Sequence, residues 1–234
     1  MTEGPQRQIR IGVGTPQANP TVEPEWRRLL PTDVDFYVTR LTSGAADARQ
    51  RLIEYIEDLP AFLSAYGSLR LDGFAFACTG SSYMVGAAWE NQIATQVGAE
   101  TGYPIVTATA AIAAALDRRG VKRLALISPY PDWLTEASVG YWTDAGHDVV
   151  GVTRVEIGGE DTAAIYGLAG DSARRALAEA DLSAADAVLL TGTGLPTLAT
   201  IACAQPGSAI PILSSNLCLA ETVLARFGRE PALA

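Results

Sequence analysis

Short runs of β-branched and apolar residues alternate along the chain with longer stretches whose apolar positions recur every three or four residues. Residues 9–13 read as a strand, 50–66 as a helix, 73–77 as a strand, and 104–107 as a strand leading into an alanine-rich helix over 110–118. The series then restarts with a strand at 123–127, and another follows at 149–152. Strands separated by helices are the pattern of a parallel α/β protein.

The restart is matched in detail. Thr15-Pro16-Gln17-Ala18-Asn19 resembles Ser128-Pro129-Tyr130-Pro131-Asp132, Cys78-Thr79-Gly80 resembles Gly192-Thr193-Gly194, and Pro104-Ile105-Val106-Thr107 resembles Pro211-Ile212-Leu213-Ser214. The offsets are 113, 114 and 107 residues (128 − 15, 192 − 78 and 211 − 104). Near-constant spacing predicts an internal repeat: two similar parallel-sheet lobes related by a pseudo-twofold. Loops after the carboxyl ends of the strands would then line a cleft between the lobes, where open α/β sheets bind ligands. The expected boundaries are 1–117 plus a returning C-terminal helix at 217–234 for one lobe, and 118–216 for the other. No Gly/Ser/Pro-rich linker lies at 118–121, so the lobes are expected to pack tightly.

Composition narrows the function. With 48% hydrophobic and 18% charged residues the chain is neither disordered nor low in complexity, and 17 Lys+Arg against 26 Asp+Glu give a net charge of −9 that disfavours nucleic acid. There is no signal-peptide-like apolar start, and no run approaches the roughly 18 apolar residues of a spanning helix, so no membrane is involved and the expected location is cytoplasmic. Three cysteines without metal spacing and a single histidine, His147, leave no material for a zinc site or a Ser-His-Asp triad. Gly12-Val13-Gly14 lacks the third glycine of a dinucleotide fingerprint, and no Walker motif occurs, so no cofactor is expected.

Cys78 ends a strand and precedes Thr79-Gly80-Ser81-Ser82, small residues whose backbone N–H groups can form an anion nest before a helix starting near Tyr83. A thiol there is expected to be held as thiolate near neutral pH. Thr193-Gly194 offers a matching nest, but Gly192 stands where the repeat predicts a second thiol. Asn19 and Tyr130 occupy the remaining paired loops and can hydrogen-bond a carboxylate. Cys203 and Cys218 read as core thiols, His147 as an exposed turn residue, and Glu23 and Glu25 as acidic caps of the helix that Pro24 starts. Tyr83, Trp133 and Leu195 are expected to line the cleft beside an apolar part of the ligand.

Residues 16–25, with Asn19 ahead of Thr21-Val22-Glu23-Pro24-Glu25, then Cys78-Thr79-Gly80, Ser128-Pro129-Tyr130, residues 191–198 and residues 211–216 resemble the maleate isomerase and arylmalonate decarboxylase branch of the aspartate/glutamate racemase superfamily. The resemblance runs from about residue 9 to the final helix. It implies a two-lobed fold with a cofactor-free, metal-free site in the cleft, where backbone amides and hydroxyls hold a small carboxylate or dicarboxylate. Cys78 matches the nucleophile of the isomerases, whereas the decarboxylases carry glycine there and their cysteine where this chain has Gly192. Relatives are often dimers or larger, so a homo-oligomer is open. The site residues expected are catalytic Cys78 with Asn19, Thr79, Gly80, Ser81, Tyr130, Gly192, Thr193 and Gly194 as substrate binders.

Two-base racemisation needs a group on each face and is disfavoured by Gly192. Isomerisation through thiol addition is the leading expectation, followed by decarboxylation with Cys78 as proton donor and then by a non-catalytic carboxylate-binding role. On the pseudo-twofold, a cysteine introduced at Gly192 should add proton exchange on the second face.

Overall fold

A computed structural model describes residues 8–232; the outer ends of the expected lobes, 1–7 and 233–234, lie outside the described residues. Strands β1 (Ile9–Pro16), β2 (Val34–Leu41), β3 (Gly73–Phe76) and β4 (Ile105–Thr107) form one parallel sheet in the order β2-β1-β3-β4. Strands β5 (Arg123–Ser128), β6 (Asp148–Arg154), β7 (Ala187–Leu190) and β8 (Ile212–Ser214) form a second in the order β6-β5-β7-β8. The two sheets therefore repeat one topology. The inner strands β3 and β7 read Gly-Phe-Ala-Phe and Ala-Val-Leu-Leu and are buried throughout, as continuous apolar runs in two-faced parallel sheets should be.

The helices depart from expectation in instructive places. The helix expected over 50–66 is two: α2 (Ala48–Glu57), capped by Asp47 accepting from the Gln50 N–H at 3.1 Å, and α3 (Leu59–Ser64). Pro60 sits in the first turn of α3, where its missing N–H is harmless; inside a continuous helix it would break the ladder. The edge strand β2 is largely half-exposed and too polar to show as an apolar run. Helix α4 (Thr79–Thr101) begins four residues before Tyr83, with Cys78 as its N-cap and a break in helical geometry at Gly86.

Helix α5 (Ala108–Arg118) packs against the last helix, α9 (Ser215–Ala225), which also touches α1 (Val22–Leu29); α4 packs against α2 and α6 (Asp132–Asp144). Fully buried Trp26, Trp142, Phe74 and Phe76 anchor the interior. Among the described residues no helix is long and apolar enough to cross a membrane.

Two assignments by composition need correcting. Cys203 is exposed, because α8 (Leu198–Ala204) buries only Leu198, Thr200 and Ile201 on its inner face. His147 is buried: the turn after α6 folds back, bringing Nδ1 to 3.1 Å from the Val121 carbonyl and the ring edge-on to Trp142. Cys218 is in the core as expected, its thiol pushed up to about 12 by burial and then by the charge of Glu221.

Candidate active site

Cys78 lies at the end of the buried strand β3, in extended backbone that hands the chain to α4. Its Sγ accepts a hydrogen bond from Ser81 Oγ at 3.2 Å, and the Gly80 and Ser81 N–H groups of the helix's first turn face it. These donors are what a helix start leaves unpaired, so the four small residues serve as the opening turn instead of a loop ahead of it. The thiol is 3% exposed, and burial pushes it above its ordinary range even though Ser81 and the two N–H groups pull it down. The expectation of a thiolate at neutral pH is overturned: desolvation outweighs the helix terminus, and the resting group is a thiol.

A cavity of about 30 Å³ collects the expected residues. Asn19, Cys78, Thr79, Gly80, Tyr130, Gly192, Thr193 and Gly194 all line it. Ser81 does not, lying fully buried behind the sulfur it donates to. Tyr83, Trp133 and Leu195 are absent from the walls. Tyr83 turns inward, its hydroxyl 2.8 Å from Thr191 Oγ1 and accepting from Trp142 Nε1 at 3.2 Å. Trp133 stacks under the Arg49 guanidinium at 4.8 Å, and Leu195 is core.

Leu52, Leu134 and a two-turn 3-10 helix (Thr162–Gly167), through Thr162, Ile165 and Tyr166, supply walls that the sequence pattern did not reveal. Arg51 of α2 pairs with Asp161 at 2.5 Å, tying this turn to the first sheet's helices. The space left between these side chains is small. A larger groove of about 640 Å³ between α4, β4 and α5 has no thiol among its described lining residues and lies away from this chemistry.

The wall opposite the α4 terminus is built from loops after β5 and β7. The Tyr130 hydroxyl is 2.5 Å from Thr79 Oγ1, and its main-chain carbonyl accepts from Arg154 Nη2 at 2.6 Å. Thr193 Oγ1 donates to the Ala77 carbonyl at 2.9 Å and accepts from Asn19 Nδ2 at 3.2 Å, so both are already engaged within the protein. Gly192 donates its N–H to Ser215 Oγ at 3.0 Å and has φ +94°, where a side chain is strained. A Cβ built on it would stand 3.0 Å from Pro129 and 3.1 Å from the Tyr130 hydroxyl. The place the repeat reserves for a second thiol is thus filled by Tyr130.

Among the described residues no lysine, arginine or histidine lines the cavity, so the donors it offers an anion are N–H and O–H dipoles. Burial raises Tyr130 well above 10 and raises Tyr166 as well, with Cys78 adding to both, so the phenols beside the thiol are neutral donors. Burial also lifts Tyr55 to about 12 and raises Tyr66, Tyr83, Tyr103 and Tyr141. A raised folded value stabilises the native state below the unfolded value of about 10 and loses that contribution as pH climbs through the folded one. Phenolate absorbance should therefore stay small at pH 10 and appear together with loss of the near-ultraviolet circular dichroism near pH 12; a full phenolate signal at pH 10 from a folded protein would contradict these burials.

The arylmalonate decarboxylase family model matches residues 11–233. The chain belongs to the arylmalonate decarboxylase family. It is 28% identical over 214 residues to the arylmalonate decarboxylase of Bordetella bronchiseptica, covering 88% of this chain and 85% of that one. It is 24% identical over 238 residues to the maleate isomerase of Pseudomonas putida, covering 95% and 93%. In fold it is similar to the Nocardia farcinica maleate cis-trans isomerase, solved as a cysteine-to-serine mutant with a covalently bound succinylcysteine intermediate: 22% identity, TM-score 0.83, and 94% and 93% coverage. This family member is an enzyme of the isomerase or carboxy-lyase kind.

Proposed function

We propose that this family member is a cofactor-independent cis-trans isomerase of a small unsaturated dicarboxylate such as maleate, with Cys78 as its single nucleophile. The observation that carries the reading is the chemistry of the cavity: one thiol on its floor and uncharged donors from both lobes around it. The likeness of fold to an isomerase holding a succinylcysteine supports it.

The reaction needs little else. The Cys78 thiol first gives up its proton to solvent water; the thiolate then forms a C–S bond to one olefinic carbon, and the π pair moves into the far carboxylate. That carboxylate now carries the developing charge and is met by hydroxyl and N–H donors such as Tyr130 and Gly194. The former double bond rotates as a single bond. The pair returns, the C–S bond breaks, and the trans acid leaves with the thiolate regenerated.

A second reading has its own support. A thiol kept protonated by burial is suited to donate a proton to an enediolate, as decarboxylation requires. Proton NMR in D₂O separates the two: with maleate the account predicts fumarate, and with phenylmalonate no carbon dioxide loss. A deuterated monoacid from phenylmalonate beside unchanged maleate would replace the isomerase reading with the decarboxylase one.

A further inference from the structure

The segment 19–25 has a role apart from touching ligand. Asn19 Nδ2 donates to Thr193 Oγ1, and Thr21 Oγ1 donates to the Gly194 carbonyl at 2.8 Å. Glu25 is 6% exposed, and among the described residues its carboxylate meets no cation. Its Oε1 accepts from the Thr197 and Leu198 N–H groups at 2.5 and 2.9 Å, so it caps α8 and not its own helix, which corrects the local capping expected for it. Glu23, the other expected cap, pairs with Arg40. The second oxygen of Glu25 accepts from Asn216 Nδ2 at 2.7 Å, and that same amide nitrogen donates to the Thr193 carbonyl at 3.1 Å.

The geometry of a trans peptide turns this into a statement about the site. The Thr193 carbonyl and the Gly194 N–H belong to one planar unit and point in opposite directions. Drawing the carbonyl toward Asn216 therefore drives the Gly194 N–H the other way. Gly194 lines the cavity, and among the described residues its N–H donates to no protein acceptor. A buried donor without a partner is costly unless something else accepts from it.

We propose that Glu25, acting through Asn216, is a positioning residue that aims the Gly194 N–H at a substrate carboxylate. This rests on the carboxylate site of the preceding section and holds whether that site isomerises or decarboxylates. Glu25 orients the Asn216 amide, Asn216 fixes the Thr193–Gly194 peptide, and the peptide presents the donor. The anion-binding wall on the second lobe is thus set from α1 and α9 and not by the loop's own sequence.

The test follows iodoacetamide alkylation of Cys78 by peptide mass spectrometry, with succinate as an unreactive shielding acid, in the intact protein and in Asn216→Ala and Glu25→Gln. Asn216→Ala keeps every donor to Glu25 Oε1 and removes only the bridge, so it guards against a folding failure of Glu25→Gln. The succinate concentration that halves alkylation should rise at least fivefold in both variants, while the unshielded Cys78 rate stays within twofold of the parent. A merely structural role would lower the melting temperature and leave the shielding concentration of the folded protein unchanged, and that result overturns the proposal. Failure of succinate to shield Cys78 even in the parent protein would instead remove the carboxylate site, and this proposal with it.

Discussion

Replacing Cys78 with serine should lower maleate turnover roughly 10³-fold or more and leave the fold standing. The loss is chemical: a serine hydroxyl ionises far less readily than even a buried thiol, and among the described residues no histidine or lysine lines the cavity to activate it. The fold is spared because oxygen for sulfur is a small change at a site whose one side-chain partner is the Ser81 hydroxyl. Steady-state assays beside thermal denaturation check both halves. The parent's pH profile follows from the same burial: with the thiol raised, the reactive thiolate fraction grows as pH increases, so the rate should climb steadily from pH 7 to 9. A plateau beginning below pH 7 would show a thiolate already formed.

Gly192→Cys should damage the enzyme and add no second-face chemistry. The pseudo-twofold alone suggests that a thiol there would face Cys78 and exchange protons. The backbone at φ +94° opposes any side chain, costing about 1–3 kcal/mol by conformation alone. The new Cβ would also meet Pro129 and the Tyr130 hydroxyl, which sits on a strand-end loop tied down by Arg154. Relief displaces that hydroxyl from Thr79 and with it a donor for the substrate. The expected outcome is a lower unfolding midpoint and turnover reduced at least tenfold, with no solvent deuterium entering the acid. A stable variant that exchanges deuterium would mean that Tyr130 yields and that the position accepts a thiol.

Those two positions show what could be read without coordinates. The repeat was legible because both lobes need small, polar residues where a buried strand ends at the cleft, and Cys78-Thr79-Gly80 and Gly192-Thr193-Gly194 both satisfy that need. Whether such residues form a loop or a helix's first turn was not, since both favour small side chains with free N–H groups; the early start of α4 turns on this. The left-handed backbone of Gly192 leaves no mark beyond the glycine itself. Glu25 resembled a local cap because acidic residues near a helix start usually are, whereas its partners lie 172 to 191 residues away. Cys203 misled because the seven residues of α8 span too few turns to show which face is buried.

The central claim is a covalent bond between Cys78 and the substrate. Acid quenching during turnover of maleate, followed by peptide mass spectrometry, tests it most directly. The account predicts a succinyl adduct on the Cys78 peptide at early times, absent from Cys78→Ser and from the exposed Cys203. Steady fumarate production with Cys78 unmodified, or undiminished in Cys78→Ser, would contradict it.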